Sequence, residues 1–144
     1  MKAPPGTTKR LKEEAKELTE ALFHGKYCVV HFKDSRRFVT YDIEKHHLIK
    51  QSQSSRFKFN IWNILPICAN KHTWSKSSAH EDEKKFLAWL KKNLPKHWQW
   101  FEQHRYDKTR HISPGDWQEI CDELRYYLNH PAEADDLIYE KNFI

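Results

Sequence analysis

The chain has 144 residues, the length of one ordinary domain, and charged residues make up 31% of it beside 14% aromatic residues. This composition argues against long disordered linkers, because only three glycines and six prolines are present. There are also enough aromatic side chains for a packed core. We therefore predict a single domain over residues 1–144. The formal net charge of +5 and the pI of about 9.1 favour a polyanionic partner.

The remaining whole-chain signals concern compartment and redox state. The N-terminal residues lack the apolar run of a signal peptide, and no later window has the apolar length of a membrane span. We expect a cytoplasmic protein with no membrane partner. The three cysteines, Cys28, Cys68 and Cys121, are an odd number at wide spacings, which is not typical of a disulfide framework. They are expected to be reduced thiols, and two of them are open as metal ligands.

The first half of the chain shows one helical and two strand-like patterns. Leu11, Leu18 and Leu22 recur at helical spacing and predict an N-terminal helix over residues 8–24, which Gly25 would end. Residues 27–32 (YCVVHF) and 36–43 (RRFVTYDI) are rich in β-branched and aromatic residues, so we predict a β-hairpin. Its second strand would deliver His46 and His47. Residues 60–68 contain Pro66 and are predicted to be extended or irregular.

The last third of the chain is predicted to be a helical extension over residues 81–130. Acidic residues open a helix over residues 80–94, which Pro95 would stop. Ser113 and Pro114 have the residue types of a helix cap and first position, and Pro131 would end the helix that they begin. Residues 131–144 form an acidic tail to which we assign no chemistry.

The charge of the middle of the chain is one-sided. No Asp or Glu lies between Lys45 and Ala79. Because DNA binding depends on cations that neutralise phosphates, we predict DNA contacts from the basic residues of this stretch. These are Lys45, Lys50, Arg56, Lys58, Lys71 and Lys76.

The same stretch carries a motif. The order of its members is His46 and His47, then Asn63, then Pro66, Cys68 and His72. This order, with its offsets of three, five and nine residues after Asn63, resembles the His-Asn-His motif of HNH (ββα-metal) endonucleases. The resemblance covers residues 27–80 and implies an α+β fold with a ββα-metal core, an N-terminal helix and a C-terminal helical extension. In layout, the helical part is also similar to phage recombination proteins of the NinG type.

The resemblance implies a role for each motif residue. His46 and His72 would bind a divalent ion, Mg²⁺ or Mn²⁺ with Zn²⁺ as a further option, while His47 would be the general base and Asn63 would orient it. Lys76 stands where many members carry a third ligand. Zinc-stapled members carry two Cys-x-x-Cys pairs, and here the corresponding places begin at Cys28 and Cys68. Three of the four ligand positions keep a ligand residue, giving a candidate structural zinc site of Cys28, His31 and Cys68.

The predicted function is therefore a metal-dependent HNH-type endonuclease that hydrolyses DNA phosphodiester bonds. Two alternatives stay open. One is a non-catalytic nucleic-acid-binding module on a degenerate HNH scaffold, and the other is a protein-interaction module whose helical third binds a partner. Five further histidines are interpreted as surface residues, namely His24, His80, His97, His104 and His130.

Overall fold

The computed structural model describes residues 6–69 and 83–141, and in these residues the fold is α+β, with six α-helices and one two-stranded antiparallel sheet. The helices are α1 (Thr7–Phe23), α2 (Val29–Ser35), α3 (Glu83–Asn93), α4 (Pro95–His104), α5 (Pro114–Asn129) and α6 (Pro131–Tyr139), and the strands are β1 (Ile43–His47) and β2 (Ile64–Cys68). The α+β class was predicted and is confirmed. None of the helices in these two ranges combines the length and the apolar character that crossing a membrane requires.

The N-terminal helix follows its prediction closely. Leu11, Ala15 and Leu22 are buried at helical spacing, and this face packs along α5. The thiol of Cys121 in α5 donates a hydrogen bond to the carbonyl of Leu11 at 3.3 Å. Gly25 follows the helix with a φ of +74°, a conformation that favours glycine.

The predicted hairpin over residues 27–43 is wrong. Residues Val29–Ser35 form α2, and Val29, Val30 and Phe32 are buried on it. Burial of this apolar face outweighs the weak strand preference of β-branched residues, which depends strongly on context. The second predicted strand does not alternate either, since Phe38 and Tyr41 are both exposed around buried Val39, and the strand begins only at Ile43.

The strand that carries the two histidines pairs with a segment much later in the chain. In the antiparallel register of β1 and β2, Ile43 lies opposite Cys68 and His47 lies opposite Ile64. The extended character predicted for residues 60–68 is confirmed: a 3₁₀ turn over Ile61–Asn63 leads directly into β2. The sheet therefore places the end of β1 beside Asn63.

The polar loop between the strands is anchored by residues that precede α5. Ser54 is buried, and its hydroxyl donates to the carboxylate of Asp107 at 2.7 Å. The side chain of Gln53 donates to the carbonyl of Asp107 at 3.0 Å, and the backbone N–H of Ser55 donates to the carbonyl of Thr109 at 2.8 Å. These bonds give a fixed backbone to a stretch whose composition resembles a flexible linker.

The C-terminal helices begin at prolines. Ser113 caps α5 as predicted, because its hydroxyl accepts from the N–H of Asp116 at 3.1 Å. Pro95 and Pro131 do end the preceding helices, and each also takes the first position of a further helix, where its missing N–H costs nothing. Residues 131–139, predicted as part of an acidic tail, form α6 with Leu137, Ile138 and Tyr139 buried.

Candidate functional site

The ring of His47 lies at the end of β1 against the loop that joins the strands. Its Nε2 atom is 2.9 Å from the carbonyl oxygen of Lys58, and His47 is half-buried. A carbonyl oxygen only accepts hydrogen bonds, so Nε2 carries the proton in the neutral ring. The basic lone pair then resides on Nδ1. The structure thus fixes the tautomer of the residue that the sequence predicts as the general base.

Asn63 is fully buried and holds the same loop through its side chain. Its Oδ1 accepts from the N–H of Ile49 at 2.6 Å, and its Nδ2 donates to the carbonyls of Ile49 and Phe57, each at 3.0 Å. These three bonds fix both ends of the loop segment that leads to Lys58. Asn63 therefore holds the loop backbone at Phe57, the residue before the Lys58 carbonyl that meets the His47 ring.

His46 occupies the other face of β1. Neighbouring residues of a strand point to opposite faces, and His46 is 5% exposed while His47 is half-buried. The centroid of the His46 ring lies 5.0 Å from that of Phe86 in α3, with the rings edge to face. Its predicted partner in metal binding, His72, lies outside the described residues, as do Lys71 and Lys76.

Acidic residues from distant parts of the chain reach the basic stretch. The Lys45 ammonium lies 2.7 Å from the carboxylate of Glu20 in α1. Arg56 lies 4.0 Å from the carboxylate of Asp107 and keeps an exposed side chain. Lys50 is exposed, and Lys58 is half-buried. A segment free of acids in sequence is therefore partly neutralised in space, and the predicted DNA contacts are not equivalent.

Lys58 lies close to two lysines of α1 that were not among the predicted contacts. Partial burial lowers the pKa of Lys58, and the positive charges of Lys12 and Lys16 lower it further. Both α1 lysines are exposed. The sequence offers a signal for this cluster, since Lys12 and Lys16 share one face of a helix at a spacing of four residues. Only the fold places that face beside Lys58.

The candidate zinc ligands are brought together. One ligand atom each from Cys28, His31 and Cys68 lies within 4.8 Å of the other two, and His31 Nδ1 is 3.5 Å from Cys68 Sγ. Cys28 is the residue before α2 and His31 lies in its first turn, so their spacing of three residues places them on one face. Cys68 ends β2 and completes the group, which can hold a metal ion.

The chemistry of this donor set fits zinc. Ligand atoms in a tetrahedral zinc site lie about 3.3 to 3.8 Å apart, given metal bonds of about 2.0 to 2.3 Å to nitrogen and sulfur. Both cysteines are buried. Burial raises the pKa of the Cys28 thiol, against the backbone N–H groups of Cys68 and His31 that lower it. Two buried thiolates side by side are unfavourable without a cation, and a bound metal ion would supply that charge.

A buried pair of ionisable residues lies away from both groups. His97 was predicted at the surface, but it is 0% exposed, and its Nδ1 lies 2.7 Å from the carboxylate of Glu140. That carboxylate also accepts from the N–H groups of Lys96 and His97 and so caps the start of α4. The sequence carries no signal for this pair, which depends on how α6 returns to α4.

Comparisons with protein-family models, with curated proteins and with solved structures return no match for this chain.

Proposed function

We propose that the protein is a metal-dependent endonuclease of the HNH type that hydrolyses phosphodiester bonds of DNA, with His47 as the general base. One observation carries this proposal: β1, ending in His46 and His47, pairs with a strand that starts directly after Asn63. That arrangement supports the first two elements of a ββα-metal core. The loop between the strands is held so that the carbonyl oxygen of Lys58 lies 2.9 Å from Nε2 of His47.

His47 has the chemistry that the proposal requires. The Lys58 carbonyl fixes Nε2 as the donor, so that Nδ1 can take the proton of an attacking water. The imidazolium that results keeps its bond to the same carbonyl, which favours the charged form. Asn63 keeps this carbonyl in place through its bonds to Ile49 and Phe57. Positioned bases of this kind contribute roughly 10² to 10⁴ in rate.

The metal ion of the reaction is assigned to His46 and His72. When bound, a divalent ion supplies positive charge to the scissile phosphate and to the leaving oxygen. Two imidazole ligands with water and phosphate completing the shell suit Mg²⁺ or Mn²⁺. His46 is buried against Phe86. It can bind the ion together with His72 only if the segment that contains His72 approaches the His46 ring.

The Cys28, His31 and Cys68 group is assigned a structural zinc ion. The ion would join α2 to the end of β2, and its thiolate and imidazole donors are those of structural zinc sites. Backbone bonds already link the same region, since the N–H of Cys28 donates to Val39 and the N–H of Ala69 donates to Asp42. A zinc ion there would fix the start of β1, and hence the strand that carries His47.

The test is plasmid cleavage by purified protein in Mg²⁺ or Mn²⁺, compared between wild type and His47→Ala. We expect the variant to lose at least about a hundredfold in rate, the lower end for a general base. His111→Ala is the matched control, because His111 is exposed and lies outside the strand pair. Equal cleavage by wild type and His47→Ala, with both folded by circular dichroism, would contradict the assignment of the base.

A non-catalytic DNA-binding module is the second candidate, and the burial of His46 favours it. A residue that is 5% exposed and packed on an aromatic ring has the environment of a core residue. This candidate predicts salt-dependent DNA binding with no cleavage in Mg²⁺, Mn²⁺ or Zn²⁺. Cleavage that disappears in His47→Ala would exclude it.

A further inference from the structure

We propose that Lys12 and Lys16 of α1, together with Lys58, form a DNA-backbone contact beside His47. This inference rests on the proposed function and extends its binding surface to a helix outside the HNH-like motif. Two contacts connect α1 to this site: the carboxylate of Glu20 in α1 lies 2.7 Å from the Lys45 ammonium of β1, and the Lys58 carbonyl oxygen lies 2.9 Å from Nε2 of His47. The three residues are called the lysine cluster below.

The charges of α1 are sorted onto two flanks of the helix. Lys12 and Lys16 lie one turn apart on one flank, in the row that continues to Glu20, and Glu20 is paired with Lys45 of β1. Glu14 lies on the opposite flank, where its carboxylate forms an ion pair with Arg125 of α5. At 100° per residue, the exposed Glu13 and Glu17 fall between these flanks, on the outer surface. The mixture of Lys and Glu in the sequence is thus separated in space.

The lysine cluster gathers like charges without an acidic partner among the described residues. Glu20 lies one turn after Lys16, and its carboxylate is paired with the Lys45 ammonium at 2.7 Å. Lys12, Lys16 and Lys58 form no ion pair within residues 6–69 and 83–141. Their mutual repulsion opposes the charged form of Lys58, and a polyanion lying across the cluster would relieve it.

The geometry of the lysine cluster suits a nucleic-acid backbone. Lys12 and Lys16 are exposed on an open helix surface, and four residues of helix separate them by about 6 Å along the axis. A polyanion with a phosphate about every 3.4 Å of axis per strand can place a charge near each cation of such a row. A backbone bound there would lie next to His47, the proposed base.

The experiment measures binding of a short random-sequence DNA duplex by fluorescence anisotropy over a series of salt concentrations. For Lys12→Gln/Lys16→Gln we expect affinity to fall by at least about tenfold at 0.1 M salt, with the salt slope reduced by about 1.8. The matched control is Lys92→Gln/Lys108→Gln, which removes the same charge from exposed positions elsewhere. Lys12→Arg/Lys16→Arg should keep wild-type binding, because the charge is retained.

The outcomes separate this inference from the proposed function. If wild type binds and cleaves, and Lys12→Gln/Lys16→Gln binds like the Lys92→Gln/Lys108→Gln control, the lysine cluster is overturned and the nuclease stands. If the α1 variant binds weakly and the wild type never cleaves, the cluster is supported and the nuclease is overturned. Absence of wild-type binding at low salt overturns both.

Discussion

The two sets of candidate site residues, the cysteine group and the histidine pair of β1, differ in how the chain assembles them. Cys28 and His31 are three residues apart at the start of a helix, which turns both toward Cys68 at the end of β2. His46 and His47 are adjacent in a strand, which turns them to opposite faces. The two residues that are three apart in the helix therefore point to the same side, whereas the two adjacent residues of the strand point to opposite sides. Secondary structure, more than nearness in sequence, decides which site residues meet.

The same difference separates the chemistry of the two groups. Both cysteines of the group are buried, and with His31 they offer two sulfur donors and one nitrogen donor, the donor types of structural zinc sites. His47 instead faces a loop carbonyl and carries a basic nitrogen, which suits proton transfer. The proposal therefore assigns stability to one group and chemistry to the other. Each of the following experiments tests one side of that division.

Zinc binding at the cysteine group should produce the largest change in stability. A ligand present at about a thousand times its dissociation constant raises the free energy of unfolding by about 4 kcal/mol. We expect one zinc ion per chain by elemental analysis and a stability increase of that order over the chelator-treated protein. Cys68→Ser should lose both. Cys121→Ser is the matched control, because Cys121 is a buried cysteine outside the group.

Two results would contradict the zinc assignment. The first is wild-type protein that binds no zinc after refolding with the metal. The second is a Cys68→Ser variant that retains the wild-type zinc content, since a site that loses one of its thiolates should bind the metal much less tightly.

Asn63→Ala should have the next largest effect, because it releases the loop beside His47. The substitution leaves the N–H and carbonyl of Ile49 and the carbonyl of Phe57 without their buried partner. We expect a loss of about 3 kcal/mol by urea unfolding. Asn93→Ala is the control, since Asn93 makes a single bond to the Trp89 carbonyl and should cost below about 1 kcal/mol. Equal losses of unfolding free energy in the two variants would show that the bonds of Asn63 do not hold the loop.

The buried pair of His97 and Glu140 joins a histidine of the core to a carboxylate. Burial lowers the pKa of His97 and outweighs the opposing effect of Glu140. Burial pushes the pKa of Glu140 upward, but bonds from the ring and N–H of His97 and the N–H of Lys96 outweigh it, so the pKa is lowered. In both cases the unfolded chain takes up the proton first, so stability falls with falling pH.

We therefore expect wild-type stability to decrease below about pH 6.5, where unfolded His97 takes up a proton, and further below about pH 4.5, where unfolded Glu140 does. Glu140→Gln should cost about 2 kcal/mol at pH 7 and make the lower step smaller. The measurement is thermal unfolding from pH 7 to pH 3.5, with Glu119→Gln as the control at an exposed position. An unchanged lower step in Glu140→Gln would refute this account.

The sequence predicts elements well where a local pattern and the tertiary contacts agree. Helix α1 follows from its apolar spacing, and the start of α5 follows from Ser113 and Pro114, whose cap bond is local. The hairpin predicted over residues 27–43 is wrong because the strand preference of Val29 and Val30 is weak. Their burial on α2 decides the conformation. The partner of β1 lies about twenty residues on, which no hairpin signal indicates.

The candidate site was predictable only in part. The motif gives the identity of Cys28, His31 and Cys68, and the structure brings their ligand atoms together. Charge contacts are less accessible to sequence reasoning, since the partner of Lys45 is Glu20, which lies in another element. For the same reason the lysine cluster is visible only after α1 has been placed against the loop.

His46→Phe should have the smallest effect on stability and is the most direct test of the division. Phenylalanine keeps an aromatic ring on the buried face of β1, where it can pack against Phe86 edge to face. Because the burial is preserved, we expect the free energy of unfolding to change by less than about 1.5 kcal/mol. If His46 is a ligand of the reaction's metal ion, cleavage should be lost while zinc content and DNA binding stay at wild-type levels. A folded His46→Phe protein that cleaves at the wild-type rate would make His46 a core residue and leave His47 as the only member of the pair with a role in the chemistry.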